Sequence, residues 1–379
     1  MLETHTCLPK PDAAVSGIPC GFGAVCRLLA VWVVLGMGGC ADDGAALPEP
    51  STEEDGGMAT LDVPSEDTST PTPCEGVPMC GSLGELACEG NTVRVCQEDA
   101  QGCLVWMEQE ACGDEAFCAE GQCRSCGWSA GSWPRQTLEV DGTLRTYFIH
   151  VPQGARCSTA LPVLVDFHGT ATTTPEELYL LARLVALADQ EGFLVVRPRS
   201  LSSNGPSGTI YRWDENPGDL ERNVAYTKTL LAHLAQQLHL DSERMYASGF
   251  SSGSNMVAQF LADPEDTFAG LGLMAGGIWA DPGIGDLGGR QERFYAVTGF
   301  RDYLHFTWVR LSTLLDAQGM DPALRWERQV DAGHELHGWH FEEMWHWLDR
   351  GQRPQPEPQA PEWSPMPGPE GDVSGLELA

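Results

Sequence analysis

The chain has 379 residues, with 54 acidic and 22 basic side chains and a formal net charge of −32 at pH 7. A chain with this excess of acidic residues repels nucleic acid and polyanionic substrates. The charge therefore argues against both as partners and favours neutral substrates. Cysteine, proline and acidic residues are concentrated in separate stretches, and this uneven composition divides the chain into five predicted segments.

The first segment, residues 1–39, has the pattern of an export signal. Residues 28–35 are apolar but too few to span a bilayer, and they lie between Arg27 and a short run that ends at Cys40. This arrangement resembles a bacterial lipoprotein signal, in which Cys40 becomes the lipid-bearing first residue. We therefore predict a protein of the bacterial cell envelope, lipid-anchored or secreted, that faces the periplasm or the exterior and meets the membrane through its anchor.

Two further segments are predicted to be disordered. Residues 40–73 form an acidic tether, since residues 41–73 contain nine acids, no base and many Pro, Ser, Thr and Gly. Such a composition cannot bury enough apolar surface to fold. Residues 351–379 carry seven prolines and form the predicted disordered tail.

A dense set of cysteines marks residues 74–126. Nine cysteines lie in this segment, and Cys157 makes ten. An even set of this density in an exported chain predicts a small module held by disulfide bonds. Structural zinc would need paired Cys-x-x-Cys units, and only Cys123 and Cys126 have that spacing, so no metal is expected. A spacer, a substrate-binding module and a partner-binding module all remain open as its role.

Residues 127–350 alternate between short apolar runs and longer helical patterns. The apolar runs that read as strands are residues 162–167, 192–196, 244–248, 293–299 and 326–330. Helical spacing of apolar residues appears between them. Alternating strands and helices predict one α/β domain with a mostly parallel central sheet flanked by helices.

The sequence Gly-Phe-Ser-Ser-Gly at residues 249–253 lies between a predicted strand and a predicted helix. A serine on a sharp strand-to-helix turn has its hydroxyl exposed above the sheet, so Ser251 is the candidate nucleophile. The same spacing recurs at residues 127–131, Gly-Trp-Ser-Ala-Gly, but there it follows the cysteines and is cut off by Pro134. We therefore interpret the second copy, with Ser129, as a loop.

An early strand that ends in residues 168–170, His-Gly-Thr, supplies a candidate oxyanion hole. The backbone N–H groups around Gly169 and Thr170, together with that of Ser252, are expected to converge on the oxyanion. His168 is interpreted as a turn residue that packs beneath this loop rather than as a base.

Asp302 and His334 complete the order Ser, Asp, His along the chain, each directly after a predicted strand. Asp302 could instead merely cap the following helix, and Asp331 is a rival acid. A further alternative is a transition-metal site, because other histidines lie near His334; these are His337, His340 and His346. Their spacing matches no standard zinc pattern, so no metal is expected.

Residues from about 126 to 348 resemble the secreted polyhydroxybutyrate depolymerase and feruloyl esterase-like family of α/β-hydrolases. The segments that carry the resemblance are residues 145–152, 166–170 and 241–251 and the Gly333-His334 turn. The resemblance implies Ser251 as nucleophile, Asp302 as acid and His334 as base, with no cofactor.

This chain departs from the family pattern at two places. Ser254 stands where the family usually has another glycine, and residues 335–339 replace a Trp-Pro-Gly type of segment after the histidine. These departures leave the acyl specificity open.

Two loops are expected beside the nucleophile, and each carries a tryptophan. Trp213 and Trp279 could stack on a phenolic acid or a sugar ring as walls of the substrate site. The alternative is that they anchor long loops to the core.

The sequence thus predicts an exported serine esterase acting on carboxylic esters, which include polyhydroxyalkanoates and the feruloyl or acetyl esters of polysaccharides. The substrate could be polymeric. A non-catalytic surface lipoprotein that uses a hydrolase scaffold for binding is the alternative from another class, and a serine peptidase is the third.

Overall fold

The computed structural model of the protein describes Cys74 and residues 79–170, 175–205, 208–213 and 218–352. The predicted signal with Cys40, the tether and the tail beyond residue 352 lie outside these described residues. Within the described ranges, no helix is both long enough and apolar enough to cross a membrane.

The cysteine-rich region is built from short antiparallel strands. Strands β1 (Leu86–Glu89), β2 (Thr92–Glu98) and β3 (Leu104–Ala111) form one sheet, and β4 (Ala116–Ala119) pairs with β5 (Gln122–Ser125). The ten cysteines form five disulfides, which are Cys74–Cys103, Cys80–Cys96, Cys88–Cys118, Cys112–Cys123 and Cys126–Cys157. The predicted disulfide framework is confirmed, and these pairs leave none of the ten thiols as a metal ligand.

Among the residues that the structure describes, ten strands follow the cysteine-rich region. They are β6 (Gly131–Val140), β7 (Thr143–Val151), β8 (Leu161–Phe167), β9 (Leu194–Pro198), β10 (Ser202–Gly205), β11 (Gly208–Tyr211), β12 (Leu240–Phe250), β13 (Gly270–Met274), β14 (Arg293–Gly299) and β15 (Arg325–Val330).

Eight of these strands form the central sheet, in the order β15-β14-β13-β12-β8-β9-β7-β6. Every neighbouring pair from β15 to β9 is parallel, whereas β7 runs antiparallel to both β9 and β6. The predicted α/β fold with a mostly parallel sheet is confirmed.

In the described part of the chain, five helices cover the two faces of this sheet. They are α1 (Pro175–Glu191), α2 (Asp219–Ala235), α3 (Ser252–Ala258), α4 (His305–Ala317) and α5 (Trp339–Arg350), with short 3-10 turns at Gln259–Ala262 and Pro322–Leu324. Successive residues of a strand point to opposite faces, so Val163 and Val165 of β8 join the core that contains α2, α3 and α4, whereas Leu164 joins the core of α1 and α5. The sheet is thus buried on both faces.

His340 is a titratable group buried in the core of α1 and α5. The side chain is 2% exposed, and its Nδ1 accepts a hydrogen bond from the backbone N–H of His337 at 3.2 Å. Burial, with smaller contributions from His337 and Arg328, lowers the pKa of His340 from 6.5 to about 3. The native protein therefore holds this imidazole neutral.

We expect His340 to make stability pH-dependent in the acid range. Below pH 6.5 the unfolded chain binds a proton at this histidine that the native state does not bind until about pH 3, so stability falls as the pH falls. At pH 5 the loss is on the order of 2 kcal/mol. The free energy of unfolding is measured in urea at pH 7.5 and at pH 5. The difference between these two free energies should be smaller in His340→Gln than in the parent by about that amount. His305→Gln is the control, and an unchanged pH difference in His340→Gln would contradict the assignment.

Candidate active site

The turn from β12 into α3 places Ser251. Its backbone has φ 56° and ψ −116°, a left-handed conformation that is costly for a residue with a side chain. The flanking glycines make room for this turn, because a Cβ on Gly249 would lie 2.3 Å from the carbonyl oxygen of Gly253, and a Cβ on Gly253 would lie 2.0 Å from that of Phe167. The predicted strand–turn–helix setting of Ser251 is present. The second copy of the motif, around Ser129, lies in the loop between β5 and β6.

The structure brings Ser251, His334 and Asp302 together. The Oγ of Ser251 lies 2.9 Å from Nε2 of His334, and Nδ1 of His334 lies 3.0 Å from both carboxylate oxygens of Asp302. The Asp302 side chain is fully buried, and Ser251 is 9% exposed. This arrangement allows the hydroxyl of Ser251 to pass its proton to the imidazole of His334, which the carboxylate of Asp302 holds in place.

Asp302 also closes the turn that leads into α4, but it is not the cap of that helix, because the N-cap position is Leu304 and no side chain caps it. Its Oδ1 accepts from the backbone N–H of Leu304 at 2.7 Å, and its backbone carbonyl accepts from His305 at 3.0 Å. The carboxylate therefore serves the turn and His334 together. The rival acid, Asp331, lies on the surface and pairs with Arg301 instead.

The predicted oxyanion-hole residues lie beside Ser251. A Cβ on Gly169 would come within 3.4 Å of the Cβ of Ser251, so the two backbones nearly touch. Ser252 is the first residue of α3, where backbone N–H groups have no partner within the helix. Thr170 is exposed and follows Gly169 directly. Backbone donors from the end of β8 and from the start of α3 therefore border the same space above the serine.

His168 supports the oxyanion loop from below. Its Nδ1 lies 2.5 Å from the carbonyl oxygen of Gly169, and its Nε2 accepts from the backbone N–H of Ser200 at 3.2 Å. Burial, aided by the positive charge of Arg197, lowers the pKa of His168 to about 3. The ring is thus neutral and holds two backbone segments, as expected for a turn residue and not for a base.

Trp213 is not a substrate wall, and that prediction is wrong. Its side chain is fully buried, and its indole N–H donates to the carbonyl oxygen of His168 at 2.7 Å. The ring packs edge-on against Phe167, with centroids 5.1 Å apart, and lies tilted against the ring of His168, with centroids 4.9 Å apart. The alternative of a loop anchor describes Trp213, and the structure it anchors is the oxyanion loop.

Trp279 is 45% exposed, as a substrate wall requires. Its ring packs edge-on against Phe306, which is 51% exposed, with centroids 5.4 Å apart. Sequence reasoning missed Tyr303, whose ring is 70% exposed and lies 4.6 Å from the ring of His334. Its position directly after Asp302 was the available signal.

Ser254, the departure from the family glycine, faces away from the substrate space. The side chain is fully buried, and its hydroxyl lies 2.8 Å from the carbonyl oxygens of both Gly249 and Met274. It also accepts from the backbone N–H of Met274 at 3.0 Å. Ser254 therefore ties the turn around Ser251 to β13 and makes no contact that could select an acyl group.

A second group that sequence reasoning missed lies one layer below the serine. Asp166 of β8 accepts from the hydroxyl of Ser248 on β12 at 2.7 Å and lies 3.4 Å from Nε of Arg197 on β9. Burial raises the pKa of Asp166, and the charge of Arg197 and the hydrogen bond from Ser248 offset part of this rise. This cluster joins β12, β8 and β9, which are consecutive strands of the central sheet. Charged residues within apolar strand runs were the signal that could have found it.

The histidines that suggested a metal site do not form one group, although the rings of His337 and His340 lie 5.4 Å apart. His340 is buried in α5, whereas His337 faces Glu335 at 3.5 Å and His346 faces Glu191 at 3.6 Å. Among the residues that the structure describes, no three His, Cys, Asp or Glu side chains form a group that could hold a metal.

A family comparison agrees with the resemblance read from the sequence. Residues 145–284 match the family model described as Esterase PHB depolymerase. This stretch runs from β7 through the oxyanion loop and Ser251 and ends before β14. The resemblance to polyhydroxybutyrate depolymerases is therefore confirmed over these residues, and it supports ester hydrolysis as the reaction class.

Two curated relatives match shorter stretches. The chain is 32% identical to the poly(3-hydroxyalkanoate) depolymerase C of Paucimonas lemoignei over 133 residues, which are 34% of this chain and 31% of that protein. It is 28% identical to the NocK protein of Nocardia uniformis subsp. tsuyamanensis over 144 residues, 38% of this chain and 41% of that protein. The chain thus spans well under half the length of the curated relatives it matches.

Among solved structures, a ferulic acid esterase is similar over 58% of this chain and 97% of that chain, with 18% identity and a TM-score of 0.45. The carboxylesterase of Bacillus cereus is similar over 55% of this chain and 95% of that chain, with 19% identity and a TM-score of 0.44.

Loss of the hydrogen bond from Trp213 to the His168 carbonyl should lower turnover more than it weakens substrate binding. Trp213→Phe keeps a ring in the core but removes the donor to the His168 carbonyl, so the oxyanion loop loses a fixed point. We expect kcat for 4-nitrophenyl butyrate to fall on the order of tenfold with KM within about twofold, because a small shift of an oxyanion donor weakens transition-state binding.

Trp345→Phe is the matched control. Trp345 is equally buried, but among the described residues its indole N–H has no hydrogen-bond partner. Its kinetics should match those of the parent. Equal losses in the two variants, or a rise in KM with unchanged kcat for Trp213→Phe, would count against the positioning role.

Proposed function

Because residues 145–284 form a region of the Esterase PHB depolymerase family, we propose that this protein is an exported serine esterase that hydrolyses carboxylic esters. The observation that carries the proposal is the chain of contacts from Ser251 through His334 to Asp302, at 2.9 and 3.0 Å. A hydroxyl on a strained strand-to-helix turn, beside backbone donors, is suited to attack an acyl carbonyl.

In the proposed acylation step, His334 accepts the hydroxyl proton of Ser251 at Nε2 as the oxygen bonds to the ester carbonyl carbon. Ionised Asp302 can only accept hydrogen bonds, so Nδ1 of His334 carries the proton that faces it, and the carboxylate offsets the imidazolium charge. The N–H groups of Ser252 and of the loop at Gly169 and Thr170 would hold the oxyanion. His334 then gives this proton to the alkoxy oxygen of the ester as the bond from that oxygen to the carbonyl carbon breaks, and the alcohol leaves.

In the proposed deacylation step, His334 takes a proton from water, and the hydroxide oxygen bonds to the acyl carbon. The bond from this carbon to Ser251 breaks, and the proton returns to the serine oxygen as the carboxylic acid leaves. All the groups needed are side chains and backbone of this chain, so the mechanism requires no cofactor.

The proposed substrates are neutral esters, which include polyhydroxyalkanoate oligomers and the feruloyl or acetyl esters of polysaccharides. One curated relative is named a poly(3-hydroxyalkanoate) depolymerase, which supports the first class. Tyr303 exposes its ring beside His334, and the exposed rings of Trp279 and Phe306 pack on each other. Such rings favour a substrate with apolar or aromatic parts.

We also propose that the protein acts outside the cytoplasm. Five disulfides are characteristic of an oxidising compartment, such as the periplasm or the cell exterior. The lipid anchor at Cys40 remains part of this proposal, and it would keep the esterase at a membrane surface.

The first test is a panel of 4-nitrophenyl esters, from acetate to octanoate with ferulate, assayed with the parent, Ser251→Ala and Ser129→Ala. Loss of the nucleophile typically lowers kcat by roughly five to six orders of magnitude, so Ser251→Ala should show no turnover above background. Ser129 occupies the same sequence motif without the strand–turn–helix setting, so its variant should retain parental rates.

Two results would contradict the proposed function. One is equal hydrolysis by the parent and Ser251→Ala, and the other is loss of activity in Ser129→Ala. Circular dichroism of all three proteins shows whether each is folded, so that unfolding is not mistaken for loss of chemistry.

A further inference from the structure

A cleft of about 560 Å³ lies between the cysteine-rich region and the hydrolase body, far from Ser251. It includes Leu161, the first residue of β8, whereas Gly169 and Ser251 lie beyond the ends of β8 and β12. The seven residues of β8 therefore separate the cleft from the nucleophile, a distance of about 20 Å at 3.3 Å per residue. The cleft thus lies at the starting ends of β8 and β12, whereas Ser251 follows the last residue of β12, and the cleft takes no part in the proposed ester hydrolysis.

The two walls of the cleft are fixed relative to each other. The Cys126–Cys157 disulfide joins them covalently, and both of its cysteines line the cleft. The backbone N–H of Gly127 donates to the carbonyl oxygen of Gln237 at 2.8 Å, and the indole N–H of Trp128 donates to the side-chain oxygen of Gln237 at 2.9 Å. The cleft is therefore pre-formed, and a ligand need not pay for ordering it.

The lining combines opposite charges, hydroxyls and one large aromatic ring with smaller apolar side chains. Asp114 and Glu115 come from the turn between β3 and β4, and Arg156 comes from the turn after β7. Among the described residues, none of these three exposed side chains forms a salt bridge. Trp128 and Thr159 also line the cleft. Polar groups from two walls thus surround an aromatic surface.

These features restrict the ligand by its chemistry. A polyanion would meet Asp114 and Glu115 within a chain of net charge −32. A purely apolar ligand, such as a polyester segment, would cover Arg156 and the two carboxylates without giving them hydrogen bonds, which is costly. A neutral ligand with many hydroxyl groups can satisfy both carboxylates and the guanidinium, and its C–H face can cover Trp128.

We propose that this cleft binds a neutral oligosaccharide segment. Its volume is within the range of about 300 to 1,000 Å³ that is usual for sites of small ligands. The cysteine-rich region supplies the acidic wall of the site, which assigns that region a binding role. The inference does not depend on the proposed esterase activity, although a glycan site would direct that activity toward esters carried on polysaccharides.

The test is affinity electrophoresis of the full chain with Ser251→Ala, in native gels that contain soluble arabinoxylan, glucomannan or polygalacturonate. Because the substitution prevents turnover by the proposed nucleophile, binding is read independently of catalysis. We expect at least one neutral polysaccharide to retard the protein and polygalacturonate not to do so. Arg156→Ala, and Asp114→Ala combined with Glu115→Ala, should weaken the retardation about tenfold, as expected for loss of a charged hydrogen bond.

Glu110→Ala and Arg183→Ala are the matched controls, since both residues are exposed charges outside the cleft. These variants should bind like the parent. The proposal is overturned if neither neutral polysaccharide retards the protein, if only polygalacturonate does, or if the cleft and control variants bind equally. The cleft substitutions are on exposed side chains, so no folding defect is expected. When the same substitutions are made in the parent chain, which keeps Ser251, ester hydrolysis should remain unchanged.

Discussion

The strained backbone of Ser251 is the constraint on which the rest of the site depends. A positive φ at a serine persists only where its surroundings enforce it. Here the serine N–H donates to the carbonyl oxygen of Met274 at 3.0 Å, and the buried Ser254 hydroxyl joins the same residue to Gly249. The close approach of Gly253 to Phe167 leaves the turn no room to relax. The hydroxyl is thus presented to His334 by contacts among three neighbouring strands.

The oxyanion side of the site depends on a second layer that never meets the substrate. His168 holds the loop through both ring nitrogens, and Trp213 holds the carbonyl of His168. Beneath them, Asp166 joins the strands through Ser248 and Arg197. These groups are buried and contact one another, so their positions are fixed before a substrate arrives. Such pre-organisation is what an oxyanion hole requires, because its donors must not reorganise during the reaction.

Local signals in the sequence predicted most of the fold and the approach of Ser251, Asp302 and His334. Two signals can be recognised from the sequence without knowing which distant residues are in contact. They are the apolar strand runs bounded by glycine and the order of serine, acid and histidine along the chain. The burial of Trp213 could not be predicted from the sequence, because its partner His168 is 45 residues away and the composition of the loop is typical of an exposed segment. The role of Ser254 likewise depends on Met274, 20 residues further along the chain. Contacts across the sheet, rather than local patterns, decide which side chains are buried.

Labelling with a fluorophosphonate, followed by peptide mapping, tests most directly whether Ser251 is the activated nucleophile. The reagent forms a stable adduct only with a serine whose hydroxyl is deprotonated by a neighbouring base. We expect one adduct per chain, on Ser251, and its loss in a folded His334→Ala variant. An adduct on Ser129 or another serine, or no adduct on the folded and oxidised parent, would contradict it.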